Sequence, residues 1–350
     1  MKQHNFGAGP GILPQEVIEE SAKAVLNFNN SGLSILEISH RGKGYEAVME
    51  EARSLVRELL NVPNTHEVLF LHGGASTQFA MVPLNLLNHK AGYIESGVWA
   101  QKAIHEAKMI GQVEIIASSS DKNFSYIPKD YQIPSDIDYL HITSNNTIYG
   151  TQMKSFPSTN VTIVCDMSSH IFSRPIDVSQ FGLIYAGAQK NMGPAGATLV
   201  IVKKDLLGKT NRSINSMMDY QVHIKSESMY NTPPTFPVYV CMLTLRWLKK
   251  MGGVHEIEKL NIEKAKLFYE ALDNKPNFIG NVVKEDRSLM NACFNLKDHS
   301  QEKRFLAACE ANGIVGIKGH RLSGGFRASL YNALPIKSVR VLIDVMNNFN

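Results

Sequence analysis

Apolar positions switch along this chain between a helical period and short continuous runs, and that switching carries the first structural information. Pro14 opens a stretch in which Val17, Ile18, Ala22, Val25 and Leu26 recur near one-face helical spacing. Val48, Met49, Ala52, Leu55, Val56, Leu59 and Leu60 predict a second helix. Short apolar runs then predict strands over 68–71, 92–95, 113–117, 139–143, 161–166, 183–186 and 198–202, with helical patterns over 76–87 and 98–110 between the first of them. Strands alternating with helices require a largely parallel sheet covered on both faces.

After Asn231-Thr232-Pro233-Pro234 the texture changes. Two long helices, roughly 237–251 and 255–272, precede short strands over 291–296, 314–318 and 325–330, with helices near 301–312 and 336–350. The expected fold class is therefore α/β: a large domain over 13–254 with a mostly parallel sheet flanked by helices, and a smaller α+β domain over 255–350 on which 1–12 pack. A chain of 350 residues suits two domains sharing a cleft, and neither internal repeats nor low-complexity linkers interrupt it.

Charge narrows the partners. Thirty-six basic and 32 acidic residues leave a net charge of +4, without a Lys/Arg block, which argues against nucleic acid. Cys165, Cys241, Cys293 and Cys309 lie far apart with no CxxC pair, against a zinc ribbon or a disulfide framework, and no metal site is expected. No apolar signal region opens the chain and no stretch approaches membrane-spanning length, so a cytoplasmic protein without membrane contact is expected.

Candidate chemistry gathers just past predicted strand ends, where open α/β sheets bind ligands. In Tyr185-Ala186-Gly187-Ala188-Gln189-Lys190-Asn191, one lysine stands among small residues that leave its amine uncovered. A solvated loop lysine is the plain alternative. Upstream, 161–166 reads as a buried strand ending in Asp166, an acid able to neutralise a protonated ring nitrogen or merely to cap a helix. Together the two residues point to pyridoxal phosphate, anchored by Lys190 as a Schiff base with Asp166 beneath the pyridine nitrogen.

Other segments add to the pair. His72-Gly73-Gly74-Ala75-Ser76-Thr77 follows a strand and opens a helix; it serves either as a phosphate cradle or as a tight turn with its cap, and it is neither a Walker A nor a GxGxxG motif. Trp99 begins a helix at another strand end, where an indole stacks on a cofactor ring or fills the core; Trp247 reads as core. His40-Arg41 and His320-Arg321 place paired cation-capable groups in two glycine-bearing loops, fit for a doubly charged phosphate or for solvent. Arg327 alternates with Phe326 and Ala328 in a strand, projecting opposite to them, where it can clamp a carboxylate.

On these residues the chain resembles the fold-type I, class V pyridoxal-phosphate aminotransferases over essentially its whole length. The matching phrases are Ser39-His40-Arg41-Gly42-Lys43, Ser173-Arg174-Pro175-Ile176-Asp177-Val178, Tyr185 to Asn191, Asn231-Thr232-Pro233-Pro234-Thr235, and Lys318-Gly319-His320-Arg321 with Arg327-Ala328-Ser329. The resemblance is to those members that transaminate phosphoserine. It implies Lys190 as Schiff-base lysine, Asp166 as partner of the pyridine nitrogen and Trp99 as stacking ring. Thr147 is similar to the threonine near the cofactor's phenolic oxygen, and Ala75, Ser76 and Gln189 resemble its phosphate cradle.

By the same resemblance Asn231 and Thr232 complete the cradle from the partner subunit of a homodimer. His40 and Arg41, also from the partner, meet His320 and Arg321 around the substrate phosphate, while Arg327 holds the α-carboxylate. The implied substrates are phosphoserine, glutamate and 2-oxoglutarate in serine biosynthesis, with a 4-phosphohydroxythreonine route to pyridoxine as a second use. Ser76 departs from the arginine that some members carry there, leaving less positive charge on that side. Rival readings are a serine–glyoxylate type aminotransferase, a cysteine desulfurase, which needs a mobile nucleophilic cysteine, and a nonenzymatic binder of phosphorylated ligands.

Overall fold

The computed structural model describes residues 3–349. Strand β1 (His4–Asn5) and helices α1 (Gln15–Leu26) and α2 (Lys43–Leu60) precede the alternating part: β2 (His66–Leu71), α3 (Gly74–Leu86), β3 (Lys90–Glu95), α4 (Val98–Lys108), β4 (Gln112–Ser118) and β5 (Tyr139–Thr143). Then follow β6 (Ile163–Asp166), β7 (Leu183–Gly187), β8 (Thr198–Lys203), α5 (Tyr220–Lys225), α6 (Thr235–Lys250) and α7 (Gly253–Asp273). The chain closes with β9 (Phe278–Gly280), β10 (Asn291–Leu296), α8 (Glu302–Ala311), β11 (Ile314–Val315), β12 (Phe326–Ser329) and α9 (Ile336–Asn348). The expected helix over 336–350 thus stops at Asn348, and residue 350 lies outside the described residues.

Seven strands form the main sheet in the order β2-β8-β7-β6-β5-β3-β4. It is parallel from β7 through β4, while β8 runs antiparallel to both β7 and β2. The reversal has a simple cause. A parallel crossover needs a dozen or more residues, and the link from Gly187 to Thr198 is shorter than that. Central strands β5, β6 and β7 are buried at every position, which explains their unbroken apolar runs.

Strand parity decides where the chemistry faces. Ile163 and Cys165 of β6 pack in the core shared with α1, α2 and α6, while Val164 packs in the other core with Phe79 of α3 and Ile104 of α4. Asp166, two residues past Val164, therefore projects on the α3–α4 side, as do its register partners Thr143 and Tyr185.

A second sheet, β12-β10-β9, is antiparallel and buries its own core. Phe294 sits at its centre with Phe268, Phe278, Phe305 and Phe326 at ring-centroid distances of 5.3 to 6.3 Å. Phe6 joins this core, and β1 pairs in parallel with β11. The strand expected over 314–318 is cut to Ile314–Val315 by Gly316, whose φ is +73° and whose hypothetical Cβ would lie 2.5 Å from the Gly7 nitrogen.

Lys264 of α7 is buried without an ion-pair partner among the described residues; its ammonium donates to the carbonyls of Leu330 at 2.9 Å and Tyr331 at 2.7 Å. Burial pushes its pKa down to about 7. The penalty for keeping it charged is fully present below pH 7 and fades as pH rises toward the unfolded-state value near 10.5. Native stability should therefore gain up to about 3 kcal/mol between pH 7 and 9.5 from this residue alone. Denaturant unfolding at both pH values should show the slope in the wild type and its loss in Lys264→Met; an unchanged slope refutes the assignment.

Candidate active site

Four segments bring the predicted residues together at the carboxyl ends of the parallel strands. Lys190 lies in the turn after β7, Asp166 ends β6, Thr147 lies in the loop after β5, and Trp99 begins α4 after β3. The Lys190 ammonium donates to Thr147 Oγ1 at 2.8 Å and lies 5.5 Å from the centre of the Trp99 ring. Burial lowers the Lys190 pKa to about 8; Arg327 pushes in the same direction and Asp166 opposes it. A lysine so poised is partly neutral near physiological pH and can accept a proton.

Asp166 is 6% exposed, and its Oδ1 accepts from the Ser168 N–H at 2.9 Å. No described residue donates to Oδ2. Arg327 of β12 donates to the Thr147 carbonyl at 3.1 Å, has no carboxylate within ion-pair distance among the described residues, and keeps a buried Nε without a partner. Its strand neighbours Phe326 and Ala328 are buried in the small core, so the projection expected from alternation holds.

Helix α3 begins at the glycine loop. Gly73 has φ +88°, and a Cβ there would lie 1.9 Å from Thr77 Oγ1, which instead donates to the Gly73 carbonyl at 3.0 Å. No side chain caps this helix, so the first-turn amides around Ala75 and Ser76 remain available to an anion. Gln189 adjoins the lysine, and its carbonyl accepts from the Gly11 N–H at 2.7 Å, so the N-terminal segment closes over this turn as well as packing on the small core.

The basic loop of the small sheet is a tight turn. The N–H groups of Ser323 and Gly324 both donate to the His320 carbonyl, and the Leu322 N–H donates to His320 Nδ1 at 3.2 Å. Burial, with Arg327, Arg321 and Lys102 nearby, lowers the His320 pKa below its ordinary value. Arg321 is exposed.

Two predicted pairs stand apart from this cluster within one chain. His40 and Arg41 lie before α2, where His40 Nε2 is buried without a partner and Arg41 is exposed. Among the described residues no contact joins them to His320 or Arg321. Asn231 and Thr232 precede α6; the Thr232 carbonyl takes a hydrogen bond from the His72 ring at 2.8 Å, which places them behind the glycine loop of their own chain.

Sequence reasoning missed a buried polar bridge. Thr147 Oγ1 donates to Ser169 Oγ at 2.9 Å, and Asn145 Nδ2 donates to that oxygen and to Asn291 Oδ1, both at 2.8 Å. Asn291 Nδ2 continues to Ser329 Oγ at 3.1 Å and the Tyr331 hydroxyl at 3.2 Å. Asn145 and Asn291 are far apart in sequence, and no local pattern announces them.

These residues fit pyridoxal phosphate. A lysine of lowered pKa, a buried carboxylate with an oxygen to spare, an indole whose Nε1 is buried and unpartnered, and an uncapped helix start offer what a gripped, phosphorylated pyridine aldehyde requires. The family described as Aminotransferase class-V matches residues 3–342. The phosphoserine aminotransferase of Flavobacterium johnsoniae is 60% identical over 349 residues, spanning 99% of this chain and 98% of that one. That of Porphyromonas gingivalis is 58% identical over 356 residues, spanning 100% and 99%.

Among solved structures, phosphoserine aminotransferase from Bacillus circulans subsp. alkalophilus superposes with a TM-score of 0.96 at 45% identity, covering 99% of this chain and 98% of that one. The pyridoxal-phosphate-bound phosphoserine aminotransferase of Trichomonas vaginalis gives a TM-score of 0.95 at 36% identity, covering 99% and 100%. The chain belongs to the class V aminotransferases, within the phosphoserine aminotransferase family.

Proposed function

We propose that the chain moves an amino group between glutamate and 3-phosphohydroxypyruvate, yielding O-phosphoserine and 2-oxoglutarate, in serine biosynthesis. One observation carries most of this reading: Arg327 holds an uncompensated guanidinium beside Lys190, where an amino acid's α-carboxylate would complete its pairing. Pyridoxal 5′-phosphate, the cofactor of this class, supplies when bound a protonated ring that takes up the electron pair left at the substrate's α-carbon. Asp166 would hold negative charge beside the ring nitrogen. Lys190 would anchor the cofactor and, once released, would carry the proton taken from the substrate's α-carbon. Trp99 would cover the ring, Thr147 would meet its phenolic side, and Ala75, Ser76 and Gln189 would hold its phosphate.

We assign the substrate phosphate to His320 and Arg321, joined by His40 and Arg41 of a partner subunit, with Asn231 and Thr232 of that subunit completing the cofactor cradle. Several features support a homodimer: exposed Leu33 and Leu36 precede His40, exposed Tyr230 precedes Asn231, and His40 Nε2 has no partner among the described residues. Residues 13–254 and 255–350 with 1–12 act as the two working units. A cytoplasmic setting agrees with the absence, among the described residues, of a helix long and apolar enough to cross a membrane. The same groups suit 3-hydroxy-2-oxo-4-phosphobutanoate as a second substrate.

Desulfurase chemistry is disfavoured. All four cysteines are buried, and burial raises every thiol pKa, away from the thiolate a nucleophile needs. The test of the substrate assignment is kcat/KM for phosphoserine against serine. A site whose cations stay unpaired without phosphate should favour phosphoserine on the order of 10²-fold or more. Equal values overturn the reading.

A further inference from the structure

We propose that Lys102 of α4 is a specificity-determining residue that lends a cation to the substrate phosphate, supplying from α4 the positive charge that Ser76 does not supply from α3. The inference rests on the phosphorylated-substrate reading above and deepens it. The Lys102 ammonium lies 4.8 Å from the centre of the Trp99 ring, the same ring that Lys190 approaches at 5.5 Å. Cation–π attraction therefore favours a position of this exposed side chain over the indole. Lys102 and Ser76 line one open depression of about 470 Å³, together with His105 and Glu106.

The charge is uncompensated. Glu106 stands one helical turn on, in the less favourable Lys-before-Glu order, and no carboxylate lies within ion-pair distance of Lys102 among the described residues. Gln101 has bonded Glu95 instead, at 2.9 Å. The lysine is also near enough to His320 to help depress that imidazole. A neutral His320 contributes a hydrogen bond but no charge. A phosphate monoester brings about −1.5 to −2 charges at neutral pH, against a single charge on the γ-carboxylate of glutamate. Arg321 is the one guanidinium assigned to the phosphate from this chain, with Arg41 of the partner subunit the other, and Lys102 adds a further cation from α4.

The experiment compares Lys102→Gln, Lys102→Arg and the double variant Lys102→Gln/Ser76→Arg, all as pyridoxal-phosphate holoenzyme. In Lys102→Gln, kcat/KM for phosphoserine should fall roughly tenfold or more, mainly through KM, with a matching rise in phosphoserine Kd by calorimetry. The value for glutamate should stay within about threefold, because one charge is already matched by the remaining groups. Lys102→Arg should retain the preference, and Ser76→Arg should restore most of it in the double variant. Equal losses for both amino donors, an unchanged phosphoserine KM, or loss of bound cofactor would each overturn the assignment. A wild-type enzyme indifferent to phosphate would overturn the parent reading along with this one; a phosphate-selective wild type unmoved by Lys102→Gln overturns this one alone.

Discussion

Lys190→Ala should cut transamination by about 10⁴-fold or more, because the proposed mechanism has one side chain both anchor the cofactor and carry the proton. The geometry leaves no understudy. Thr147 Oγ1, the group bonded to the Lys190 ammonium, is a hydroxyl that passes its own proton to Ser169, and it is no base at neutral pH. Lys102 reaches the same indole, but from α4. The variant should retain its fold and bind cofactor only noncovalently. Borohydride treatment of the wild type should fix a pyridoxyl group on the peptide containing Lys190. Full turnover by the variant, or a label on another peptide, would remove the assignment.

Asp166→Asn should keep the cofactor yet lose about 10³-fold in kcat, since an amide of the same shape cannot hold a proton on the ring nitrogen. A second signature separates this from simple misfolding. Asp166 raises the Lys190 pKa, while burial and Arg327 lower it from above to about 8. With the carboxylate gone, only the lowering influences remain, so in the cofactor-free protein the Lys190 amine should lose its proton at lower pH, read as a shift to lower pH in the rate at which it forms an imine with added pyridoxal phosphate. A kcat near the wild-type value would mean that another group neutralises the ring.

Much of this site was legible because its signals are local. Asp166 closes a strand buried at every position, and Lys190 follows another, so a run of apolar residues ending in a charge marks each. The strand over 139–143 and the strand over 291–296 read directly, since burial fixes both their ends. The start of β6 slipped from 161 to Ile163 because Val161 and Thr162 are only half-buried before pairing begins. Helix α5, six residues long, was too short to show a period.

Long-range placement stayed hidden. Nothing near Asn145 points to Asn291, and nothing in the first dozen residues tells that Gly11 bonds the carbonyl beside the lysine. Lys102 reads as an ordinary helix-surface lysine until the fold lays it over Trp99. Each of these acquires meaning only through a contact across the chain, which composition and spacing do not encode.

One threonine answers to two masters. Thr147 receives the Lys190 ammonium on its hydroxyl and the Arg327 guanidinium on its carbonyl, while the Asn145–Asn291 bridge ties the same loop to the strand bearing that arginine. A carboxylate that draws the guanidinium toward itself tugs on the seat of the amine. On the proposed roles, cargo recognition and the stance of the proton carrier share a common pivot, so a misfitting amino acid should spoil the reaction's alignment as well as its own grip.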